Sequence, residues 1–412
     1  MMEEWKEYKL GDLIVLSSGG TPNKSNGSYW NGDIPWISAK AMYDDYLYSS
    51  DITITREGLD NGSKLAPVNS ILLLTRGSGL FNRIPVCLVK SEMAFNQDVK
   101  CIESKDKNVV SNFFLFYWLI GNKRAISNIL ETTGIGAGKI DTERLKNLPI
   151  NLPPIQRQQV LIKFAESLML KIEVNRRIND NLEQQAQALF KSWFVDFEPF
   201  KDGEFIESEL GMIPKGWKVE SLTSFGKIVC GKTPSKAEST HYGGNIPFIK
   251  IPDMHNNVYV LQSEDSLSEL GDKSQIAKRI PPYSVLVSCI ATVGLVSMNV
   301  RTCHTNQQIN TIIPNFAEYR FYLYQKLVSL KDYLINLGRG GTATLNVNTR
   351  QFGNIEIVKP SDNVLSDYHQ RVSCLFDKIE ANSKESRRLA ELRDTLLPRL
   401  MSGELKVNEI KA

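Results

Sequence analysis

The 412-residue sequence carries almost no net charge, because 49 basic residues face 46 acidic ones and leave a balance of only +3 at pH 7. Nucleic-acid binding therefore cannot be argued from bulk charge, and any basic surface has to be local. No apolar run approaches the ~18 residues of a membrane helix, and the first residues do not have the pattern of a signal peptide. We therefore expect a cytoplasmic protein without a membrane span.

Cysteine and histidine are scarce and scattered. The six cysteines and four histidines show no metal-ligand spacing, and dispersed cysteines in a long chain fit reduced thiols in the cytoplasm. The G-x-S-x-G string of many hydrolases is also missing. We therefore expect no catalytic residue, no metal and no cofactor bound by this chain.

Two strings look like cofactor motifs and fail on spacing. Residues 134–139 end in Gly-Lys, but a P-loop needs one more residue in the loop and a Ser or Thr where Ile140 stands. Residues 151–154 (Asn-Leu-Pro-Pro) are similar to the N-P-P-Y loop of amino-methyltransferases, but a leucine interrupts them and no glycine-rich loop precedes them. We interpret the first string as a loop that binds no nucleotide and the second as a strand end before a helix.

What the sequence does contain is an internal repeat. Positions matched at an offset of 212 residues are Trp5-Lys6 with Trp217-Lys218, Thr21-Pro22 with Thr233-Pro234, Gly32 with Gly244, Ile34-Pro35 with Ile246-Pro247, Ile37 with Ile249, and Met42 with Met254. The offset then becomes 210 at Asn96-Gln97 and Asn306-Gln307, and 207 where 171–175 matches 378–382. A chain this long is expected to form two or more domains. The repeat predicts two units, each with a domain of roughly 150 residues and a further segment of about 40.

The domain part of each unit is predicted to be rich in strands. Segments 33–37 and 245–249 are interpreted as strand starts, and 70–74 and 284–287 as buried strands after turns that contain proline. Helices are predicted over 112–122 and 317–337, which are apolar-periodic and rich in aromatic residues.

The remaining part of each unit has the pattern of a coiled coil. In the first unit it follows Pro153-Pro154, a signal for the start of a helix. Heptad spacing selects Leu161, Ala165, Leu168, Ile172, Asn175, Asn179, Leu182, Ala186, Leu189 and Trp193 in the first copy. In the second it selects Tyr368, Val372, Leu375, Ile379, Asn382, Ser386, Leu389, Arg393, Leu396 and Leu400. A narrow apolar seam with polar residues at its middle predicts that the two helices pair with each other.

Asn175 and Asn382 lie near the midpoints of these two helices. If the helices pair antiparallel about a pseudo-two-fold axis, the two asparagines are predicted to meet and to fix the register at some cost in stability. The alternative is that both simply face solvent or a partner.

Locally basic, small-residue loops recur in both copies. The turn at 17–24 (Ser-Ser-Gly-Gly-Thr-Pro-Asn-Lys) reappears at 230–236, and such residues suit phosphate contacts. Arginine on a flexible loop can read guanine, and the amides of the Asn-Gln pairs can read adenine or simply close a turn. The candidate DNA-binding residues are Thr21, Asn23, Lys24, Lys40, Arg76, Arg83, Lys139, Lys232, Thr233, Ser235, Lys236, Lys250, Arg339, Thr342 and Thr344.

In this combination the chain resembles the specificity subunit of Type I restriction-modification systems. The strings that carry the resemblance are the Trp-Lys and Gly-Thr-Pro landmarks, Ile-Pro-Trp-Ile at 34–37, Ile-Pro-Phe-Ile at 246–249, both Asn-Gln pairs, Leu-Pro-Pro-Ile-Gln-Arg-Gln at 152–158, 211–217, and 396–405. The match spans essentially the entire chain. One departure is that 363–370 differs from 153–158, so the second long helix is expected to begin less regularly.

The resemblance implies an α+β fold with two tandem pseudo-symmetric α/β target recognition domains, separated by two long helices that form an antiparallel coiled coil. It also implies double-stranded DNA, two modification (methyltransferase) subunits and restriction/translocase subunits as partners. S-adenosylmethionine would belong to the methyltransferase, and ATP and Mg²⁺ to the restriction partner. The expected segments are 1–153 and 214–360 for the recognition domains, 154–197 and 361–402 for the helices, 198–213 for a linker and 403–412 for a tail.

Divergence between the copies predicts different half-sites and therefore an asymmetric target. Forty helical residues span roughly 60 Å, so helix length is hypothesised to set the gap between the half-sites. Two other classes remain open: the recognition part of a combined methylase-nuclease of another type, and a scaffold that binds protein.

Overall fold

The chain folds into two compact units, each built around its own core. In the computed structural model, residues 5–134, 136–235, 237–339 and 344–406 are described. The first unit contains the described residues of 1–172 and 388–412, and the second contains those of 173–387. Each unit therefore includes one mixed domain together with part of both long helices.

The first unit is built on four sheets in its described part. The five-stranded sheet has the order Ile14–Ser18, Val99–Ser104, Ile71–Leu74, Val86–Val89, Tyr46–Leu47. The other sheets are Thr53–Ile54, Trp30–Ile37, Met93–Phe95, Leu65–Ala66; Leu130–Thr132, Gly138–Ile140, Arg76–Gly77; and Lys6–Lys9, Pro149–Leu152. Short helical segments are Leu10–Leu13, Gly27–Tyr29, Ala39–Ala41, Arg56–Gly62, Ser78–Phe81, Asn112–Gly121, Lys123–Ser127 and Thr142–Lys146.

The second unit repeats the main features of this plan over its described residues, although its smaller sheets differ. Its five-stranded sheet has the order Gly226–Cys230, Ile309–Pro314, Val285–Ser288, Val296–Asn299, Tyr259–Val260. The other sheets are Asp265–Leu267, Tyr242–Ile249, His304–Thr305; Lys218–Ser221, Glu356–Lys359; and the hairpin Phe205–Ser208, Gly211–Pro214. Short helical segments are Glu198–Phe200, Leu222–Phe225, Ser239–His241, Ile251–Met254, Glu269–Ser274, Ile276–Lys278, Tyr319–Ser329, Lys331–Gly338 and Thr349–Gly353.

The two five-stranded sheets have the same strand order, and both end on a strand that pairs parallel to its neighbour. The central strands Ile71–Leu74 and Val285–Ser288 are buried at every residue. Apolar strands covered on both faces are expected to form continuous apolar runs of this kind. The predicted fold class, α+β with two tandem domains of like topology and two long helices, is confirmed.

Two details of the sequence interpretation are wrong. Segments 33–37 and 245–249 end strands that begin earlier, at Trp30 and Tyr242. A register shift in each of these strands separates the first residues from the pattern that sequence reading detects. The helix expected over 317–337 is two helices, because Leu330 leaves the helical conformation between them.

The two long helices are Ile155–Phe194 and Asp362–Met401, each of 40 residues. The first starts where the Gln158 side chain donates to the carbonyl oxygens of Val109 and Pro153. The second starts at Asp362, whose carboxylate accepts a 2.6 Å hydrogen bond from the Tyr319 hydroxyl and is well placed for the helix dipole. Each long helix begins one residue after its predicted start, which was 154 for the first and 361 for the second.

Both long helices contribute buried residues to the domain cores. In the first unit, Leu161, Ala165 and Met169 belong to the same buried cluster as Leu397 and Leu400. A second cluster in the other unit contains Phe190, Phe194, Tyr368, Phe376 and Ile379 together with strands of the five-stranded sheet. Seam positions such as Leu161 and Tyr368 therefore pack in the domain cores, together with neighbouring residues of the same helices.

Within the second unit the helices run antiparallel, and their polar middle is an asparagine cluster. The Asn175 amide nitrogen lies 3.4 Å from the backbone carbonyl oxygen of Asn382 and 2.8 Å from a Glu385 carboxylate oxygen. The Asn382 side chain donates instead to Asn179 at 2.9 Å. A seam residue of one helix packs between two seam residues of the other, so Asn382 reaches both Asn175 and Asn179.

Truncation of Phe194 tests how far the second unit depends on this shared core. Its ring centroid lies 4.9 Å from those of Tyr322 and Tyr368. We expect Phe194→Ala to lower the free energy of unfolding by about 3–5 kcal/mol, the usual cost of a buried aromatic cavity. Urea denaturation followed by tryptophan fluorescence measures the change. Val195→Ala is the control, because this neighbouring side chain is 52% exposed, and it should change the free energy of unfolding by no more than about 0.5 kcal/mol. Equal losses for both variants would contradict the placement of Phe194 in the core.

Candidate nucleic-acid interface

The glycine-threonine-proline turn of each copy is bonded to the Asn-Gln pair of the same copy. The Thr21 hydroxyl donates to Gln97 Oε1 at 2.6 Å, and Thr233 donates to Gln307 Oε1 at 2.6 Å. The Gly20 and Lys232 backbone N–H groups, which occupy equivalent positions, bond to strand-end carbonyls at 2.9 Å. Two distant sequence landmarks therefore form one structural element, present twice.

Small residues in this turn are required by close backbone approach. A Cβ atom on Gly19 would lie 2.0 Å from the Phe95 carbonyl oxygen, and one on Gly231 would lie 2.2 Å from that of Asn306. No side chain fits at such distances. The repeated glycine thus allows the turn to pack on the strand end.

The asparagine of each Asn-Gln pair closes a turn. Asn96 Oδ1 accepts from the Asp98 N–H, and Asn306 Oδ1 accepts from the Gln308 N–H, both at 3.1 Å. Both asparagines are buried. Their side-chain contacts are those of a structural amide, so they hold the loops in place.

Four polar side chains of the first unit converge beside this element. Arg76, Gln97, Lys100 and Lys139 line a cleft of about 270 Å³. Arg76 and Lys139 are directly opposite each other in an antiparallel strand pair, and both are exposed. The structure thus brings together two of the predicted DNA-binding residues, one residue of the Asn-Gln motif and Lys100.

Lys100 was not singled out from the sequence. It lies in the strand Val99–Ser104 and donates a hydrogen bond to the Ser18 hydroxyl. Burial, and then the neighbouring Arg76 guanidinium, lower the pKa of its ammonium group from the ordinary value. The one available signal was its position three residues after Gln97, on a strand whose other early members are apolar.

The other candidates of the first unit are dispersed. Asn23 Oδ1 accepts from the Ser25 N–H at 3.0 Å, and Arg83 donates to the Met42 carbonyl oxygen, so both side chains have structural contacts. Lys24 and Lys40 are exposed. Neither lysine lines the cleft.

The candidates of the second unit differ in their surroundings. Lys250 forms an ion pair with Asp265, and Arg339 donates to Asn336 Oδ1 at 3.1 Å. Lys232, Ser235 and Thr344 are exposed. Two further candidates lie outside the described residues, namely Lys236 and Thr342.

The buried histidine of the second unit has a charged partner. His304 Nε2 lies 2.8 Å from Asp272 Oδ1, and Arg279 also pairs with Asp272. The Arg279 guanidinium, followed by His304, lowers the pKa of the Asp272 carboxyl. Among the residues that the structure describes, no three histidines, cysteines or carboxylates are grouped as a metal site would need, and no helix is both long and apolar enough to cross a membrane.

Two tandem domains that present different polar loops on one repeated framework have the architecture of a bipartite recognition protein. A model of the Type I restriction modification DNA specificity domain matches the chain twice, over residues 2–184 and 214–392. The chain therefore belongs to this family, whose function is DNA sequence recognition in restriction-modification systems. The predicted function as a specificity subunit, which is not an enzyme by itself, is confirmed.

Curated relatives and a solved structure agree with this membership. The chain is 34% identical to the HindI specificity subunit of Haemophilus influenzae, with 98% of this chain and 100% of the relative covered. It is 29% identical to the MjaIX specificity subunit of Methanocaldococcus jannaschii, covering 99% and 95%. A Type I S subunit from M. genitalium has the same fold, with a TM-score of 0.52 at 16% identity over 97% and 96% of the two chains.

Loss of the Thr21 hydroxyl tests the element shared by the turn and the Asn-Gln pair. Thr21→Val removes its bond to Gln97, and we expect the first unit to lose about 0.5–1.5 kcal/mol of stability and to bind the first half-site more weakly. Thr21→Ser keeps the hydroxyl and should restore both properties. Thermal melting and duplex binding measure the two effects, and equal behaviour of the valine and serine variants would exclude a role for this hydrogen bond.

Proposed function

We propose that each recognition domain reads one half of a bipartite, asymmetric site in double-stranded DNA. The observation that carries the proposal is the repeated framework with different side chains at equivalent loop positions. The Thr21–Gln97 bond has its counterpart in Thr233–Gln307, whereas Arg76, which is paired with Lys139, is replaced by Ile290, which is bridged to Asn346. Because the two domains share a framework but carry different side chains on their loops, we expect them to recognise different half-sites.

Base reading and backbone contact are different tasks for these loops. Hydrogen bonds to base edges carry sequence information, while phosphate contacts position the protein on the duplex. Arg339 and Lys232 project from exposed loops of the second unit, and arginine is suited to bidentate contact with guanine. We therefore infer that recognition of the second half-site involves these two loops.

The long helices are proposed to dock two methyltransferase subunits. Leu170, Val174 and Ile178 occupy one stripe of the first long helix at four-residue spacing, and their exposed fractions are 53%, 39% and 38%. Such a stripe is suited to packing against another protein. In the proposed cytoplasmic complex, S-adenosylmethionine belongs to the methyltransferase, and ATP and Mg²⁺ belong to the restriction subunits.

Mapping of DNA methylation tests the proposed function directly. In cells that carry the protein and its methyltransferase partner, we expect methylated sites with two different half-sites at a constant spacing. Deletion of the gene for this chain should abolish methylation at those sites. Identical half-sites in a palindrome would contradict the proposed asymmetry. The alternative of a protein-binding scaffold predicts no salt-dependent duplex binding by the purified protein.

Lengthening of the helices tests whether they set the gap. Four residues inserted after Ile172 and four after Arg387 add one turn to each helix where the chain passes between the two units. One turn adds about 6 Å, which corresponds to about two base pairs at 3.4 Å per pair. We expect methylation mapping to show a gap changed by that amount and unchanged half-sites.

A surface insertion of the same length is the control for this experiment. The same four residues inserted after Lys107, in an exposed turn of the first unit, should leave the gap unaltered. If the helix insertions left the gap unaltered while methylation persisted, helix length would not determine the spacing.

A further inference from the structure

We propose that the cleft formed by Arg76, Lys100 and Lys139 binds a phosphate group of the DNA backbone, and that the second domain has no equivalent phosphate site. This inference rests on the proposed function, because it assigns a ligand within the DNA-binding surface of the first domain. The two domains would then differ in their contacts with the DNA backbone as well as in the half-site sequences that they read.

The first support is a pair of like charges in direct opposition. Arg76 and Lys139 are cross-strand neighbours in the sheet formed by Arg76–Gly77, Gly138–Ile140 and Leu130–Thr132. Side chains directly opposite in an antiparallel pair lie on one face with Cβ atoms roughly 5 Å apart, and like charges there are destabilising. An anion between them would convert the repulsion into attraction.

The second support is the third cation, Lys100, which lines the same cleft. Its ammonium group is partly buried and bonds to the neutral Ser18 hydroxyl. None of the three cations forms an ion pair with a carboxylate of the described chain, although Asp98 lies on the cleft wall. One partly buried cation beside two exposed ones attracts an anion more strongly than a single solvated lysine does.

The third support comes from the equivalent place in the second domain, where the same pairing of backbone groups recurs as an isolated bridge. The Ile140 N–H bonds to the Thr75 carbonyl oxygen at 2.9 Å, and the Val347 N–H bonds to that of Cys289 at 2.8 Å. This correspondence gives the residues that replace the three cations, which are Ile290 for Arg76, Asn310 for Lys100 and Asn346 for Lys139. All three replacements are neutral.

Asn310, the neutral residue in place of Lys100, has its amide group satisfied by hydrogen bonds within the second domain. Asn310 is buried, its amide nitrogen donates to the Val347 carbonyl oxygen at 3.3 Å, and its amide oxygen accepts from the Thr349 hydroxyl at 3.0 Å. The cationic cluster is therefore not required for this backbone pairing, because the equivalent pairing of Ile290 with Asn346 forms without it. Its presence in the first domain alone points to a ligand of that domain.

The chemistry of the cluster favours phosphate over a base edge. A guanine edge is recognised by one planar arginine or one lysine, whereas three cations around one cleft offer several charge-assisted donors to the acceptor oxygens of a phosphodiester. Contact with phosphate would anchor the first domain on the duplex without reading sequence.

The test exchanges the equivalent residues between the two domains. The experiment uses the full-length chain, purified with the methyltransferase that accompanies it. The first domain receives the residues of the second by the substitutions Lys139→Asn, Lys100→Asn and Arg76→Ile, made singly and together. We expect each lysine variant to reduce the slope of log Kobs against log salt by about one, and to weaken binding by the same factor on duplexes with matched and mismatched first half-sites. The reverse pair Ile290→Arg and Asn346→Lys should increase the slope.

Lys107→Asn is the matched control, because Lys107 is an exposed lysine of the same unit outside the cleft. An unchanged slope in the cleft variants, or the same change in the control, would overturn the phosphate site. A change confined to the first half-site preference would also overturn it, since base reading would then be the role of these residues. If a chain carrying all three substitutions does not fold, Lys139→Asn alone tests the phosphate site, because the Lys139 side chain is exposed and its replacement should not disturb the fold. Absence of duplex binding by the unaltered complex would instead reject the proposed function itself.

Discussion

Packing of the two long helices into the domain cores is the interaction on which the structure depends. In each unit buried residues of both helices share a core with the strands, as Leu161 and Leu397 do in the first and Phe194 and Tyr368 in the second. A free pair of helices would bury only a narrow stripe, but here the domain adds aromatic and aliphatic contacts to the same residues. Orientation of each domain on its helix segments therefore follows from side-chain packing in a close-packed core.

Recognition surfaces need loops that vary while the backbone beneath them stays constant. The bond between the threonine of the turn and the glutamine of the Asn-Gln pair satisfies this need in both domains. The glycines at 19 and 231 allow the turn to approach the strand end so closely that no side chain fits. Because these contacts hold the base of each loop, the residues that project from the loop are free to differ between the domains. The pair Arg76–Lys139 in the first domain and its neutral equivalent Ile290–Asn346 in the second are an example.

Net charge gives little information about a protein that contacts DNA locally. The balance of +3 conceals three cations around one cleft of the first unit, while elsewhere lysines such as Lys250 are matched by carboxylates. Coulomb energy depends on distance and local dielectric rather than on the sum over the chain. The places where such a protein can contact the DNA phosphate backbone are therefore those where several cations without a carboxylate partner lie close together.

The sequence by itself determined the duplication, the limits of the long helices to within a few residues and the family, because repeats, heptads and capping signals are local patterns. It did not determine the partner of Asn382, which is Asn179 as well as Asn175, since packing between helix turns depends on exact register. Nor did it reveal Lys100 beside Arg76 and Lys139. These residues are far apart in the chain, and only the pairing of strands in the folded sheets brings them to one cleft.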